Sequence, residues 1–372
     1  MTHKTPLKYL ITELQSFLSA YQGGMYPNFV FKNKLNDVIP IFCYHRIQYQ
    51  DICGHLDYLR TNNYNTLTGN ELSEKLGARP TENGNDVVLT FDDGIDNLYT
   101  DVYPALQKFG FTAIAYIVPA WIGRTGFLSW TQVVEMHNSG LVDFQSHSMN
   151  HYSIFTSPRI IDFFNPNFFS YAVWDLPSVH EGSDGQTGTN PPFGTPVYTW
   201  NSRLSDERRY IPEERIHDLC TSYVNRNGGK SFFMKNSWRR NLRDLIRAQE
   251  SSSACRSSYE NEAEQRKAIE REIATAETTL ESHLSGKNIQ HFAFPWNKVG
   301  QKSCQILRER RYRTISQGMT ENYQHQRSGD MSFELSRLSG DFIPTLPGTG
   351  RKSFWNIMLR KMLRRVQRGT TY

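Results

Sequence analysis

Four apolar runs alternating with helical periodicity constrain this chain more than any other feature. VIPIFCY (38–44), VVLTF (87–91), FTAIAYIV (111–118) and LVDFQS (141–146) have the length and composition of buried strands. Between the second and third runs, Leu98, Val102, Leu106 and Phe109 recur at helical spacing up to Gly110. Between the third and fourth, Ser129 and Gln132 form the signature of a capping box. That box predicts a helix through Val133, Val134 and Met136, ending at Gly140. Strand–helix–strand alternation predicts a parallel sheet or barrel with its helices outside. Two later runs, IQHFAF (289–294) and RTISQ (313–317), extend the pattern.

The alternation stops after residue 152 for about a hundred residues, too long for an ordinary loop. This segment reads as an insertion or lid. Its first part is rich in aromatic residues, among them Phe155, Phe163, Phe164, Phe168, Phe169, Tyr171, Trp174, Tyr198 and Trp200. They suit a small satellite core better than a set of sugar-stacking rings. Residues 205–250 are basic and helical in pattern. SSSACRSS (251–258) reads as a linker, and a charged helix follows over 259–284. The chain divides into an N-terminal helical extension (1–35), a barrel (36–155 and 260–345), the insertion (156–259) and a basic tail (346–372).

With 372 residues the chain can bury a large core without staples. Its five cysteines are scattered, with no C-x-x-C, which excludes a disulfide framework and a cysteine zinc ribbon. The first residues lack the uninterrupted apolar core of a secretory signal, because Glu13 and Gln15 interrupt it. The expected location is cytoplasmic, with peripheral contact at the inner face of the membrane. The net charge is +5, yet residues 351–372 hold seven basic residues and no acid, which leaves −2 for the remainder. A near-neutral body disfavours nucleic acid as a partner.

The polar residues of interest follow strand ends: His45, then Asp92 and Asp93, then His147 and His151, then Pro295 and Trp296. In a β/α barrel such positions converge on one face. Separately, Asp-Asp-Gly is a turn signature, and two histidines four apart are as readily packed residues as ligands. Together they offer one carboxylate and two imidazoles for a divalent ion, with a second carboxylate left as a base.

TFDDGIDN (90–97) resembles the first motif of the polysaccharide deacetylase family, the relatives of chitooligosaccharide deacetylase. SHSMNH (146–151) matches its His-(Ser/Thr)-x-x-His motif, and FAFPWN (292–297) resembles the third motif of the branch written Phe-Ala-Tyr-Pro. PIFCYHRI (40–47) resembles the opening segment of that branch. The resemblance covers about 36–155 and 260–340. It implies an α/β fold, a distorted (β/α) barrel with a long insertion and a C-terminal basic amphipathic helix. By carry-over, Asp93, His147 and His151 bind one divalent metal, usually zinc. Asp92 is the base, and the Trp296 N–H faces the developing oxyanion. Cobalt, nickel or iron suit the same donors.

Two departures stand out. The Arg that orients the base in many members is Ala293 here, and the late Leu-x-x-His motif is absent. LSRLSGDF (335–342) stands near its place without a histidine. His45 is the first candidate for the acid and His325 the second. Arg337 has three readings: substrate contact, orientation of Asp92 or a surface ion pair.

The implied activity is removal of an N-acetyl group from an amino sugar of a bacterial surface polysaccharide or its lipid-linked precursor. A deformylase or other N-acyl sugar hydrolase, and an inactive carbohydrate-binding scaffold, are the alternatives. The partner is an N-acylated amino sugar or oligosaccharide. On a helical wheel, Trp355, Met358, Leu359, Met362, Leu363 and Val366 separate from Arg360, Lys361, Arg364, Arg365 and Arg368. This pattern over 354–368 suits an anionic membrane surface, packing on the barrel, or pairing with another subunit.

Overall fold

The computed structural model describes residues 19–35, 38–77, 85–168, 177, 191–250, 257–319 and 333–368. In chain order its strands begin with β1 (Ile41–Tyr44), β2 (Asn65–Thr66), β3 (Asp86–Asp93), β4 (Ala113–Ile117) and β5 (Val142–Ser146). They continue with β6 (Ser153–Phe163), β7 (Pro196–Ser202), β8 (Tyr210–Ile211) and β9 (Ser258–Tyr259). The last are β10 (His291–Ala293), β11 (Thr314–Gln317), β12 (Glu334–Ser336) and β13 (Leu338–Ser339). The helices are α1 (Asn28–Phe31), α2 (Tyr49–Thr61), α3 (Gly69–Gly77), α4 (Tyr103–Phe109) and α5 (Trp130–Asn138). Then come α6 (Glu214–Arg226), α7 (Trp238–Glu250), α8 (Glu262–His283), α9 (Gln301–Glu309) and α10 (Phe354–Arg368). The chain forms two compact units. One runs up to Met149 and adds Ile273–Asn297 and the residues from Leu307 onward; the other comprises Asn150–Glu272 and Lys298–Ile306.

The first unit is a nearly closed parallel barrel with strand order β12-β11-β10-β5-β4-β3-β1-β13, and β2 joins β3 at the side. The end strands β12 and β13 are one stretch of chain parted by Arg337. Its first half pairs with β11 (Gln317 opposite Ser336) and its second with β1 (Phe42 opposite Leu338). One segment therefore closes the sheet on itself and removes its open edges.

Strand alternation places every second side chain inside. Ile41, Val88, Ile114, Tyr116, Ala293 and Leu335 pack together as the core. One step further along the same strands come Cys43, Thr90, Asp92 and Arg337.

Local sequence accounts for the connections. The Ser129 capping box is present with both of its bonds. Gly110 ends α4 in the left-handed region at φ 74°. The helical spacing from Leu98 to Phe109 is realised as one π-helical turn followed by α4. Gly340 is required for another reason: a Cβ there would lie 1.9 Å from the Tyr44 ring.

The second unit contains what the sequence pattern did not reveal, a long antiparallel β6–β7 hairpin. Pro158 and two register shifts between Phe155 and Asp162 break its alternation, which hides it from a period-two reading. Phe163 packs with Ile216, Cys220, Val224, Phe232 and Trp238, while Phe155 packs with Tyr198 and Tyr210. These aromatic side chains form satellite cores. Phe169, Tyr171 and Trp174 lie outside the described residues. Arg203, fully buried, pairs with Glu260 at 2.9 Å.

A polar knot fills the other end of the barrel. Asp143 accepts from the Gly69 N–H at 2.8 Å and from the Lys287 ammonium. His291, fully buried, bonds Thr314 Oγ1 through Nδ1 at 2.8 Å, and its Nε2 finds no partner among the described residues. Burial holds this imidazole down at about 4, so the folded chain keeps it neutral. The unfolded chain takes up the proton first as pH falls, so folded-state stability declines from the ordinary histidine range down to about 4. We predict that wild type loses about 3 kcal/mol more than His291→Gln between roughly pH 7 and pH 4. Urea unfolding at several pH values measures this, and parallel profiles would refute it.

Candidate active site

The polar residues gather where the parallel strands end. Asp92 and Asp93 close β3, His147 follows β5, and Trp296 follows β10 by three residues. His147 continues the ladder, its N–H donating to the Ile117 carbonyl at 3.0 Å. Ligand atoms of Asp93, His147 and His151 all lie within 4.8 Å of one another. His147 Nε2 is 3.5 Å from Asp93 Oδ1, close to the roughly 3.4 Å between two ligands of one tetrahedral zinc. The other ring nitrogen, Nδ1, donates to the Ala293 carbonyl at 2.8 Å. That bond fixes the ring and directs the Nε2 lone pair toward Asp93, the backing that metal-ligating histidines use. One carboxylate and two imidazoles, so supported, fit a divalent cation.

The local backbone around these groups is strained. The described residues include seven non-glycine positions with positive φ. Five belong to the three motifs: Asp93 (73°), Ser148 (66°), His151 (53°), Trp296 (58°) and Asn297 (54°). Each costs about 1–3 kcal/mol and persists because its surroundings over-determine it. Gly94 follows at φ 81°, where a Cβ would lie 3.0 Å from Ile122 Cδ1 and 3.1 Å from Ile117 Cγ2. At the second motif the surroundings are a carboxylate. Glu272, buried on α8, accepts from the Asn150 N–H at 3.0 Å and from its side-chain amide at 2.6 Å. Burial pushes Glu272 up to about 7 despite those two donors.

Asp92 differs from Asp93 in every respect that matters chemically. It is buried, and both of its oxygens are held by Arg337, Nη1 to Oδ1 at 2.6 Å and Nη2 to Oδ2 at 2.7 Å. Arg337 Nη1 also donates to Thr90 Oγ1 at 3.2 Å. Cys43 Sγ is 3.5 Å from Asp92 Oδ2. Burial pushes the Asp92 carboxyl up, but the Arg337 guanidinium, then His147 and His45, outweigh it and hold the group well below the usual carboxylate range. Asp92 is thus ionised at any working pH. Burial likewise pushes the Cys43 thiol far up, so it stays protonated.

Of the three readings of Arg337, the geometry supports orientation of Asp92; a surface pair is excluded by its burial. The arginine absent beside the third motif is replaced from β12–β13, a strand the sequence did not reveal. Half-buried His45 lies near enough for its charge to act on Asp92. His325 lies outside the described residues. Glu272 was missed as well, although it sits on the apolar stripe of Ile269, Ile273, Ala276 and Leu280, where a carboxylate is out of place.

Residues 79–163 match the sequence profile of the polysaccharide deacetylase family. Over that stretch the chain is similar to the polysaccharide deacetylases. Similar to it are YxkH of Bacillus subtilis (strain 168), 32% identical over 121 residues, and the poly-β-1,6-N-acetyl-D-glucosamine N-deacetylase of Escherichia coli (strain K12), 35% identical over 114. The matches cover 30% and 26% of this chain, and 43% and 17% of those proteins, so it spans less than half of either. A solved de-N-acetylase from Aggregatibacter actinomycetemcomitans shares the fold, with a TM-score of 0.51 at 15% identity over 86% of this chain and all of that one.

Removing one partner of a buried ion pair strands the other, at a cost of about 3–5 kcal/mol. Arg337→Ala should therefore lower unfolding stability by that amount. Replacing both, with Asp92→Asn and Arg337→Leu, should recover part of the loss. Urea midpoints of the three variants test this, and an Arg337→Ala protein as stable as wild type would contradict the pairing.

Proposed function

We propose that this protein is a metal-dependent N-deacetylase of an amino-sugar polymer or its lipid-linked precursor. The observation that carries the reading is the Asp93, His147 and His151 donor set beside a separate, permanently ionised carboxylate. A binding scaffold needs no second carboxylate kept charged at the cost of burying an arginine against it. The names of the Escherichia coli relative and of similar staphylococcal proteins, poly-β-1,6-N-acetyl-D-glucosamine N-deacetylases, support the substrate class.

A divalent ion held by Asp93, His147 and His151, zinc in the first instance, would polarise the amide carbonyl and make water more acidic. Asp92 takes the proton of the attacking water. Its low basicity makes it a weak acceptor toward free water, so the transfer depends on the water being acidified in this way. Arg337 fixes both carboxylate oxygens, so Asp92 presents the same face at each turnover. The Trp296 N–H donates to the oxygen on which negative charge develops. His45 returns a proton to the departing amine. The bond broken is the C–N bond of the acetamide, giving acetate and a free sugar amine.

Two measurements test this. Metal analysis of the purified chain should give about one ion per chain, lost in Asp93→Ala and retained in Asp92→Asn. Acetate release from β-1,6-linked N-acetylglucosamine oligomers should fall about 10²–10⁴-fold in Asp92→Asn with KM little changed. His45→Gln should lower kcat. Formate release from N-formyl oligomers in place of acetate would move the assignment to a deformylase. Metal-free protein that takes up no zinc would overturn it.

A further inference from the structure

We propose that the exposed rim formed by Tyr21, Phe31 and one face of α10 docks the barrel unit onto an anionic lipid bilayer. At the hub of this surface sits Phe354, buried, with ring centroids 4.9 Å from Phe31, 5.0 Å from Tyr26 and 5.7 Å from Phe342. Ile357 is buried on the same side of the helix. Phe354 and Ile357 stand outside the apolar group of the helical wheel and occupy the inward direction, which leaves Trp355, Leu359 and Leu363 of that group exposed.

Around that hub large apolar side chains stay in water: Trp355 is 56% exposed, Leu359 58%, Leu363 50%, Phe31 43% and Tyr21 40%. Trp355, Leu359 and Leu363 recur every four residues and form one stripe. Tyr21 packs on Trp355, with ring centroids 5.5 Å apart, and so extends the stripe onto the N-terminal segment. Nine large hydrophobic residues are exposed among the described residues, and five of them belong to this rim. Apolar exposure concentrated in this way marks a contact surface, where scattered single residues would not.

The charge around the rim selects the occupant. Lys352 and Arg360 border it, the sequence adds Arg364, Arg365 and Arg368, and no acid follows Asp341. Asp341 is itself engaged by Lys361 at 3.4 Å. Burial, then the neighbouring Arg360, pull the Lys352 ammonium below its usual range. A second copy of the chain would bring a like-charged border against this one. Anionic lipid headgroups neutralise the border, and the interface beneath them takes the apolar stripe, with Trp and Tyr at headgroup depth. No described helix is long and apolar enough to cross a membrane, so the contact lies on the surface.

The test uses the full chain and two vesicle types, phosphatidylglycerol mixed with phosphatidylcholine, and phosphatidylcholine alone. Truncation is unsuitable. Arg351 bonds the Phe29 and Val30 carbonyls, and Phe354 and Ile357 are buried, so cutting there would damage the fold. Wild type should co-sediment with the mixed vesicles, and more weakly with phosphatidylcholine alone or in high salt. Trp355→Glu combined with Leu359→Glu should lower partitioning by about a hundredfold, roughly tenfold or more per inserted side chain. Should that variant misfold by circular dichroism, Leu363→Glu alone gives a readable loss of about tenfold. Arg360→Gln should cost about fivefold on the mixed vesicles and nothing on phosphatidylcholine. Wild type that ignores the mixed vesicles, or variants that bind as wild type does, would overturn the proposal. So would a dimer seen by light scattering that the double variant abolishes while vesicle binding is absent.

Discussion

The bidentate pair between Arg337 and Asp92 is the interaction on which the rest of the barrel turns. Arg337 is the residue that separates the two end strands of the sheet, so the residue at the barrel's closure is also the one that grips Asp92. Its cost is the desolvation of two full charges. Good geometry offsets that cost: both carboxylate oxygens are engaged, and Thr90 takes part of the remaining guanidinium valence. A buried pair of this kind is weak evidence for stability. Here it performs a chemical task, because it keeps a buried carboxylate ionised and fixed in direction.

Two neighbouring aspartates thereby acquire opposite duties. Strand alternation turns Asp92 inward onto Arg337, while the left-handed backbone of Asp93 turns the next carboxylate toward the two histidines. Chemical identity at the two positions is the same; one peptide of geometry separates a carboxylate gripped by an arginine from one set beside two imidazoles. The strain needed for that arrangement recurs at Ser148, His151 and Trp296. It is absorbed by packing against β4, by the Ala293 carbonyl behind His147, and by the Glu272 clamp on Asn150.

The two ends of the barrel illustrate the same physics with opposite outcomes. At the strand C-termini buried charge is paired and preserved. At the other end burial strips the proton from His291, leaving it neutral beside the Asp143–Lys287 pair. One end is arranged for chemistry across a wide pH range, and the other makes the fold sensitive to acid.

Much of the barrel was legible in the chain itself, for a physical reason. Strands buried on both faces must be continuous apolar runs, and the Ser129 cap and Gly110 stop are local bonds and local torsions that a few residues settle alone. The motifs at 92–93 and 147–151 were legible too, because strand-end positions follow once the strands are known. The β6–β7 hairpin was not, since Pro158 and its register shifts erase the alternation that announces a strand. Nor was the closing strand, whose two short halves pair with different neighbours and carry no run long enough to read. Sequence therefore determined which elements form and which chemical groups stand at their ends. Only the tertiary structure decided that Arg337, some 245 residues away, meets Asp92, and which face of α10 is left in water. Both depend on contacts between segments distant in the chain, and no local pattern encodes them.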